Sequence, residues 1–184
     1  GKTGSRVKRQ LQQQGYEVRG VSRTTEVKFD WQDATTWAPA LQGATSVYVT
    51  FQPDLAVPAA AHIMQSFVEV VKQCGIEHVV LLSGRGEEGA QRAERIVKSS
   101  GLRWNVVRAS WFSQNFSENF LVDGILSGTL LIPEVTTAEP FIDADDIADV
   151  VCAALTRPEL SHQLFEVTGP ESMTFVQCVE QIGD

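Results

Sequence analysis

The chain has 184 residues, 43% hydrophobic and 21% charged, a balance that suits one soluble globular domain with a sizeable core and excludes wholesale disorder. Fifteen basic against twenty-three acidic residues give a formal charge of -8, which repels a phosphate backbone, so direct nucleic-acid binding is not expected. No apolar run reaches spanning length, no leader-like segment is present, and three widely spaced cysteines, Cys74, Cys152 and Cys178, read as free thiols of a cytoplasmic protein.

Gly1-Lys2-Thr3-Gly4 has the form of a glycine turn opening a phosphate-cradling helix, with the strand that should precede it absent. Residues 3 to 14 form that helix, ended by Gly15, and its basic residues Lys2, Arg6, Lys8 and Arg9 read as a solvated face. Strands are expected at Tyr16 to Val21 and Val27 to Phe29, then a helix from an Asp33 cap to Gly43 and a strand over Thr45 to Phe51. Pro53 and Pro58 punctuate a loop before the longest helix, which Gly75 ends.

His78 to Leu82 is a near-continuous apolar strand, as burial on both faces requires, and it runs into Ser83-Gly84-Arg85-Gly86. A helix over 88 to 100, a strand at Arg103 to Arg108 and an aromatic, helix-compatible stretch from Trp111 to Phe120 follow. Asp143 to Thr156 is an amphipathic helix with Asp143, Asp145 and Asp146 at its dipole-positive end. A strand at Leu164 to Val167 and a helix from Thr174 complete the chain. Alternating strand and helix periods predict an α/β, doubly wound parallel sheet, whose ligands bind outside the carboxyl ends of the strands.

Two phosphate loops end in such a turn, the Walker loop and the dinucleotide turn. The strands at 45 to 51 and 78 to 82 end without the Asp that a Walker site uses for magnesium, whereas Ser22-Arg23 stands where a dinucleotide fold carries its ribose-reading residue. An Arg there pairs with a 2′-phosphate and favours NADP, as NADPH, over NAD; a solvated turn residue is the other reading. Asp30 either accepts from an adenine amino group or caps the next helix.

The chain resembles the NmrA-like branch of the atypical short-chain dehydrogenases, close to bacterial azoreductase-like and ergot-alkaloid-reductase-like members. The resemblance rests on the glycine turn, on Phe29-Asp30-Trp31-x-Asp33-Ala34-x-Thr36-Trp37, on Leu81-Leu82-Ser83-Gly84, and on Val107-Arg108-Ala109-Ser110-Trp111-Phe112-x-Gln114-Asn115-Phe116. Phe141-Ile142-Asp143-Ala144-Asp145-Asp146-Ile147-Ala148 and Glu166-Val167-Thr168-Gly169-Pro170-Glu171 extend it. It implies one NAD(P)-binding Rossmann domain over residues 1–184, lacking its first strand and truncated at both ends, with residues 111–142 and 163–184 contributing to a partial, truncated C-terminal substrate lobe.

By that resemblance Gly1, Thr3 and Gly4 face the pyrophosphate, Ser22 and Arg23 the 2′ position, and Asp30 and Trp31 the adenine. Thr50, Phe51 and Gln52 line the nicotinamide ribose with Ser83, while Ser110, Trp111 and Phe112 flank nicotinamide and substrate. Trp111, Phe112, Asn115, Phe116 and Phe141 are candidate substrate walls, or else core aromatics. Ser83 matches the position of the family's helper Ser, or serves as a turn residue.

A typical short-chain dehydrogenase donates a proton from a Tyr whose pKa is lowered by a Lys four residues later. The only tyrosines, Tyr16 and Tyr48, are followed at that spacing by Gly20 and Gln52. Hydride transfer then requires an acceptor electrophilic without acid catalysis, such as a quinone, azo compound or iminium ion. The alternative is a non-catalytic NAD(P)-sensing module acting through a protein partner. No metal site is expected, since His62, His78 and His162 are scattered. Residues 1–184 alone are expected to bind dinucleotide weakly or not at all.

Overall fold

A computed structural model describes residues 1–118, 121–130 and 136–183. Helix α1 (Lys2–Gln13) begins on the glycine turn. Val7 and Leu11, four residues apart, carry its buried stripe, and Gly15, at φ 87°, takes the left-handed step that turns the chain away.

The strands expected at Tyr16 to Val21 and Val27 to Phe29 do not form; a single bridge joins Ser22 to Lys28. Apolar alternation supplies a face, but a strand also needs a neighbouring backbone, and residues 17–21 have none among the described residues. Arg19 instead ties this segment down by donating to the carbonyls of Ala40 and Gln42.

The helix expected from Asp33 to Gly43 is split. Asp33 caps a short 3-10 turn, Ala34–Thr36, by accepting from Thr35 N–H at 3.1 Å, and α2 (Trp37–Leu41) follows. Pro39 has no N–H to give to the carbonyl four residues back, so one continuous α-helix is not available here.

From there the expected alternation holds. Strand β1 (Ser46–Val49) leads to α3 (Pro58–Gln73), which carries Pro58 in its first turn, where the missing N–H costs nothing. Then come β2 (His78–Gly84), α4 (Glu88–Lys98) and β3 (Arg103–Ala109). The aromatic stretch after β3 is not a helix but a 3-10 turn at Ser113–Asn115; Asn119 and Phe120 lie outside the described residues. Helices α5 (Leu121–Leu126) and α6 (Ala144–Thr156), strand β4 (Gln163–Val167) and helix α7 (Phe175–Gly183) complete the order. Thr174 and Gln177 close a reciprocal capping box at the start of α7, each side chain accepting from the other's N–H.

The four strands are parallel in the order β1-β2-β3-β4. Alternate residues serve opposite layers: Val79, Leu81 and Val106 join α2, α3 and α4, while Val80, Val107 and Ala109 join α1 and α6. Val79, Val80 and Leu81 are all fully buried, which explains the unbroken apolar run in the sequence. A small third cluster, Phe116, Leu121 and Phe175, packs the segment after β3 against α5 and α7. The fold is thus the expected α/β arrangement, a parallel sheet with helices on both faces.

Candidate functional site

The carboxyl ends of β1, β2 and β3 and the start of α1 open onto one cleft of about 1110 Å³. It exceeds the roughly 300–1,000 Å³ of ordinary small-molecule pockets.

At the α1 end, the first intrahelical bond runs from Ser5 N–H to Gly1 O, leaving the N–H groups of Lys2, Thr3 and Gly4 ahead of the ladder. A β-carbon at Gly1 or Gly4 would meet no protein atom within 4 Å. Packing inside the chain therefore does not require glycine at either position, and the open space lies on the cleft wall, as a phosphate-approach site needs. Thr3 is differently placed: it is buried, and its hydroxyl accepts from Tyr48 Oη at 3.0 Å. Burial, the larger effect, pushes the Tyr48 phenol up, although its bond to Thr3 opposes this.

The basic face of α1 is not simply solvated. Arg6 Nη2 lies 2.7 Å from Glu118 and its Nε 3.1 Å from Asp145, and Arg9 reaches Asp145 at 2.8 Å. Asp145 stands in the first turn of α6, so its partners come from another helix, which sequence periodicity does not reveal. Burial lowers the Lys2 ammonium, with Glu118 pulling the other way.

Ser22 is on the cleft wall, but Arg23, Asp30 and Trp31 are not. Arg23 is exposed. Asp30 accepts from Gln32 N–H through its carboxylate and from Trp37 Nε1 through its carbonyl. Trp31 donates to Thr50 O at 3.1 Å and packs with Phe29, Phe51 and Phe67 at centroid distances of 4.8, 4.8 and 4.9 Å. This aromatic cluster fastens the 29–37 segment to the end of β1.

At the strand ends, Thr50, Phe51, Gln52, Ser83, Ser110, Trp111, Phe112 and Asn115 share the cleft wall. Phe116 and Phe141 do not; they pack on each other at 5.4 Å in the third cluster. Trp111 is 45% exposed and stands edge-on to Phe175. Ser110 donates its hydroxyl to Pro140 O, holding the segment ahead of α6 against the end of β3.

Ser83 is tied to a group that sequence reading missed. Its hydroxyl donates to Glu94 Oε1 at 2.7 Å. Glu94 is only 1% exposed, and Arg108 grips it with Nε at 2.8 Å and Nη2 at 2.7 Å, while Lys98 stands 3.4 Å away. Burial alone would raise the Glu94 carboxyl; the bonds from Arg108 and Ser83 outweigh it and hold the group below its usual range. The available signal was a charge on the otherwise apolar stripe Ala90, Ala93 and Val97 of α4.

Asp54, Arg85 and Glu87 are further cleft residues that the sequence did not single out. Among the described residues, no group of three or more His, Cys, Asp or Glu could hold a metal ion, and no helix is long and apolar enough to cross a membrane.

A family model described as NAD(P)H-binding matches residues 1–158. Prestalk A differentiation protein A of Dictyostelium discoideum is 29% identical over 86% of this chain and 53% of its own length. Agroclavine dehydrogenase of Claviceps fusiformis is 29% identical over 83% and 56%, and NAD(P)H azoreductase of Xenophilus azovorans 28% identical over 79% and 52%. The chain thus spans about half the length of these curated relatives. A Staphylococcus aureus nucleoside-diphosphate-sugar epimerase superposes with a TM-score of 0.77 at 17% identity, covering 100% of this chain and 74% of that one. An Escherichia coli NADPH-dependent quinone oxidoreductase complexed with NADPH gives 0.67 at 16% identity, over 86% and 59%. These likenesses match the sheet and its helices to NAD(P)-binding folds.

Proposed function

The chain belongs to the NAD(P)H-binding family, and from that premise we propose that it serves an NmrA-like, cytoplasmic reductase that prefers NADPH and acts on quinone, azo or iminium acceptors without a Tyr/Lys proton relay. The single observation that carries this reading is the placement of Tyr48, whose phenol is engaged by donating to Thr3 of α1. The relatives named for azo and agroclavine substrates support the acceptor class.

The open backbone at Gly1 and Gly4 suits a dinucleotide's pyrophosphate, with N–H groups aimed at negative charge and no side chain in the way. Ser22 on the cleft wall, with the exposed Arg23 next to it in sequence, would select the 2′-phosphate; Asp30 and Trp31, off the cleft wall, would act on the adenine side only by bracing that segment, and Thr50, Phe51, Gln52 and Ser83 would line the nicotinamide ribose. When bound, the cofactor supplies a hydride. Trp111, Phe112 and Asn115 would orient a flat acceptor and exclude water, Ser110 would fix their strand end, and Phe116 and Phe141 would brace them from below. The three free cysteines stand outside this chemistry; burial pushes the Cys152 thiol up to about 11, keeping it an inert apolar filler.

The test is NADPH consumption by the full-length protein across a quinone, an azo dye and a cyclic iminium salt. Turnover of at least one acceptor supports the proposal, and none across the panel overturns it. The engagement of both Ser83 and Tyr48 within the chain also favours a second reading, an NAD(P)-sensing module that binds a protein partner. That reading predicts a partner affinity that changes when dinucleotide is added, and calorimetry showing equal affinity would remove it.

A further inference from the structure

The proposed reaction lacks a proton source, and Glu87 is a carboxyl at the strand ends that no salt bridge among the described residues engages. Glu87 closes the turn that leaves β2, where Gly86 at φ 78° reverses the chain ahead of α4. Its residue surface is exposed, but its carboxylate lies on the end of β2, where a β-carbon at Gly84 would collide with it. Gly89, the second residue of α4, packs so closely on Ala56 that it too has no room for a β-carbon. That contact pins the start of α4 to the loop after β1 and sets Asp54 beside Glu87. Asp54, Gly84 and Glu87 all line the cleft.

No cation neutralises this carboxyl among the described residues. Arg85, two residues away, is turned to Glu166 of β4 at 3.0 Å. Glu88 follows it, and from the facing loop Asp54 presents a carboxylate that itself accepts from Ala56 N–H. Burial first, and then the Asp54 charge, hold Glu87 above the usual glutamate range. The other acid-base groups near the strand ends are engaged: Ser83 with Glu94, and Tyr48 with Thr3.

We propose that Glu87 is the proton donor for the reductase reaction, protonating the acceptor heteroatom from the β2 side of the cleft. This rests on the reductase reading above. An azo acceptor becomes a hydrazine by gaining one hydride and one proton: an N–H bond forms, the carboxyl O–H of Glu87 breaks, and water reprotonates the carboxylate. A quinone likewise needs protons on its oxygens. An iminium acceptor becomes a neutral amine on gaining hydride alone, so Glu87 has no proton to give it.

The experiment uses the full-length protein and its Glu87→Gln and Asp54→Asn variants. Carbon-13 NMR titration of the side-chain carboxyls, without cofactor, is expected to place Glu87 above ordinary glutamate and to move it down in Asp54→Asn. In turnover, Glu87→Gln is expected to lose azo-dye reduction at least tenfold, on the order of general acid catalysis, while a cyclic iminium salt is reduced within twofold of wild type. Because the acid form is the active one, azo reduction falls as pH rises through the Glu87 midpoint, and Asp54→Asn shifts that fall to lower pH. Unchanged azo reduction in Glu87→Gln, or equal losses on azo and iminium acceptors, overturns the proposal and leaves the reductase reading standing. If Glu87→Gln does not fold, an azo pH profile unmoved by Asp54→Asn overturns it instead. No turnover of any acceptor by wild type overturns both.

Discussion

The two ends of the cleft are built on different principles. At the α1 end the functional groups are backbone N–H donors, and the side chains that matter are the ones missing at Gly1 and Gly4. At the β2 end they are side chains from three elements that set one another's state: Ser83 in β2 and Glu87 just after it, Glu94 on α4 and Arg108 on β3. A backbone site survives many substitutions around it, whereas a side-chain network is disabled by removal of one member.

The largest effect that separates them is expected for Arg108→Ala. It leaves the buried Glu94 with only the more distant Lys98 for charge compensation, and denaturant unfolding of the full-length protein should show a loss of about 3 kcal/mol or more, as for other broken buried pairs. At the other end, Gly4→Ala should leave stability unchanged or raise it by up to about 1 kcal/mol, since Ala is the better helix former and the space is open. Its NADPH affinity, by fluorescence titration, should nevertheless fall tenfold or more; unchanged affinity would break the comparison.

His78, at the amino end of β2, sharpens the contrast from outside the cleft. It is buried, and its Nε2 faces Asn105 Oδ1 at 2.9 Å. Burial depresses its imidazole, with Asn105 opposing and Arg103 and His162 adding to the depression. The unfolded chain then binds the extra proton first, so stability is complete above the ordinary imidazole value of 6.5 and declines as pH falls below it. The decline should be absent in His78→Gln. Smallest of all, Arg9→Ala breaks an exposed pair with Asp145 and should cost below about 1 kcal/mol, less in high salt.

The core was legible because burial writes itself into spacing. Val79, Val80 and Leu81 form a continuous run for a two-faced strand, and Val7 and Leu11 a helical stripe. Residues 16–21 carry the same kind of pattern without a ladder, because pairing depends on a neighbouring backbone that local sequence does not contain. The glycine turn was equally readable, being a local backbone device. Glu87 and Glu94 were not: their states are set by Asp54 and Arg108, respectively tens of residues and more than ten residues away in sequence. Trp31 and Phe116 show the converse, since aromatic residues after a strand look the same in sequence whether they wall a cleft or fill the layer beneath it.

The most direct test of the account is NADPH oxidation by the full-length protein and its Tyr48→Phe variant with an azo dye as acceptor. Equal turnover within twofold is predicted, because the Tyr48 hydroxyl is bonded to Thr3 and takes no part in proton delivery. No turnover by either protein, or turnover lost only in Tyr48→Phe while NADPH still binds, would contradict a reductase that works without a phenol relay.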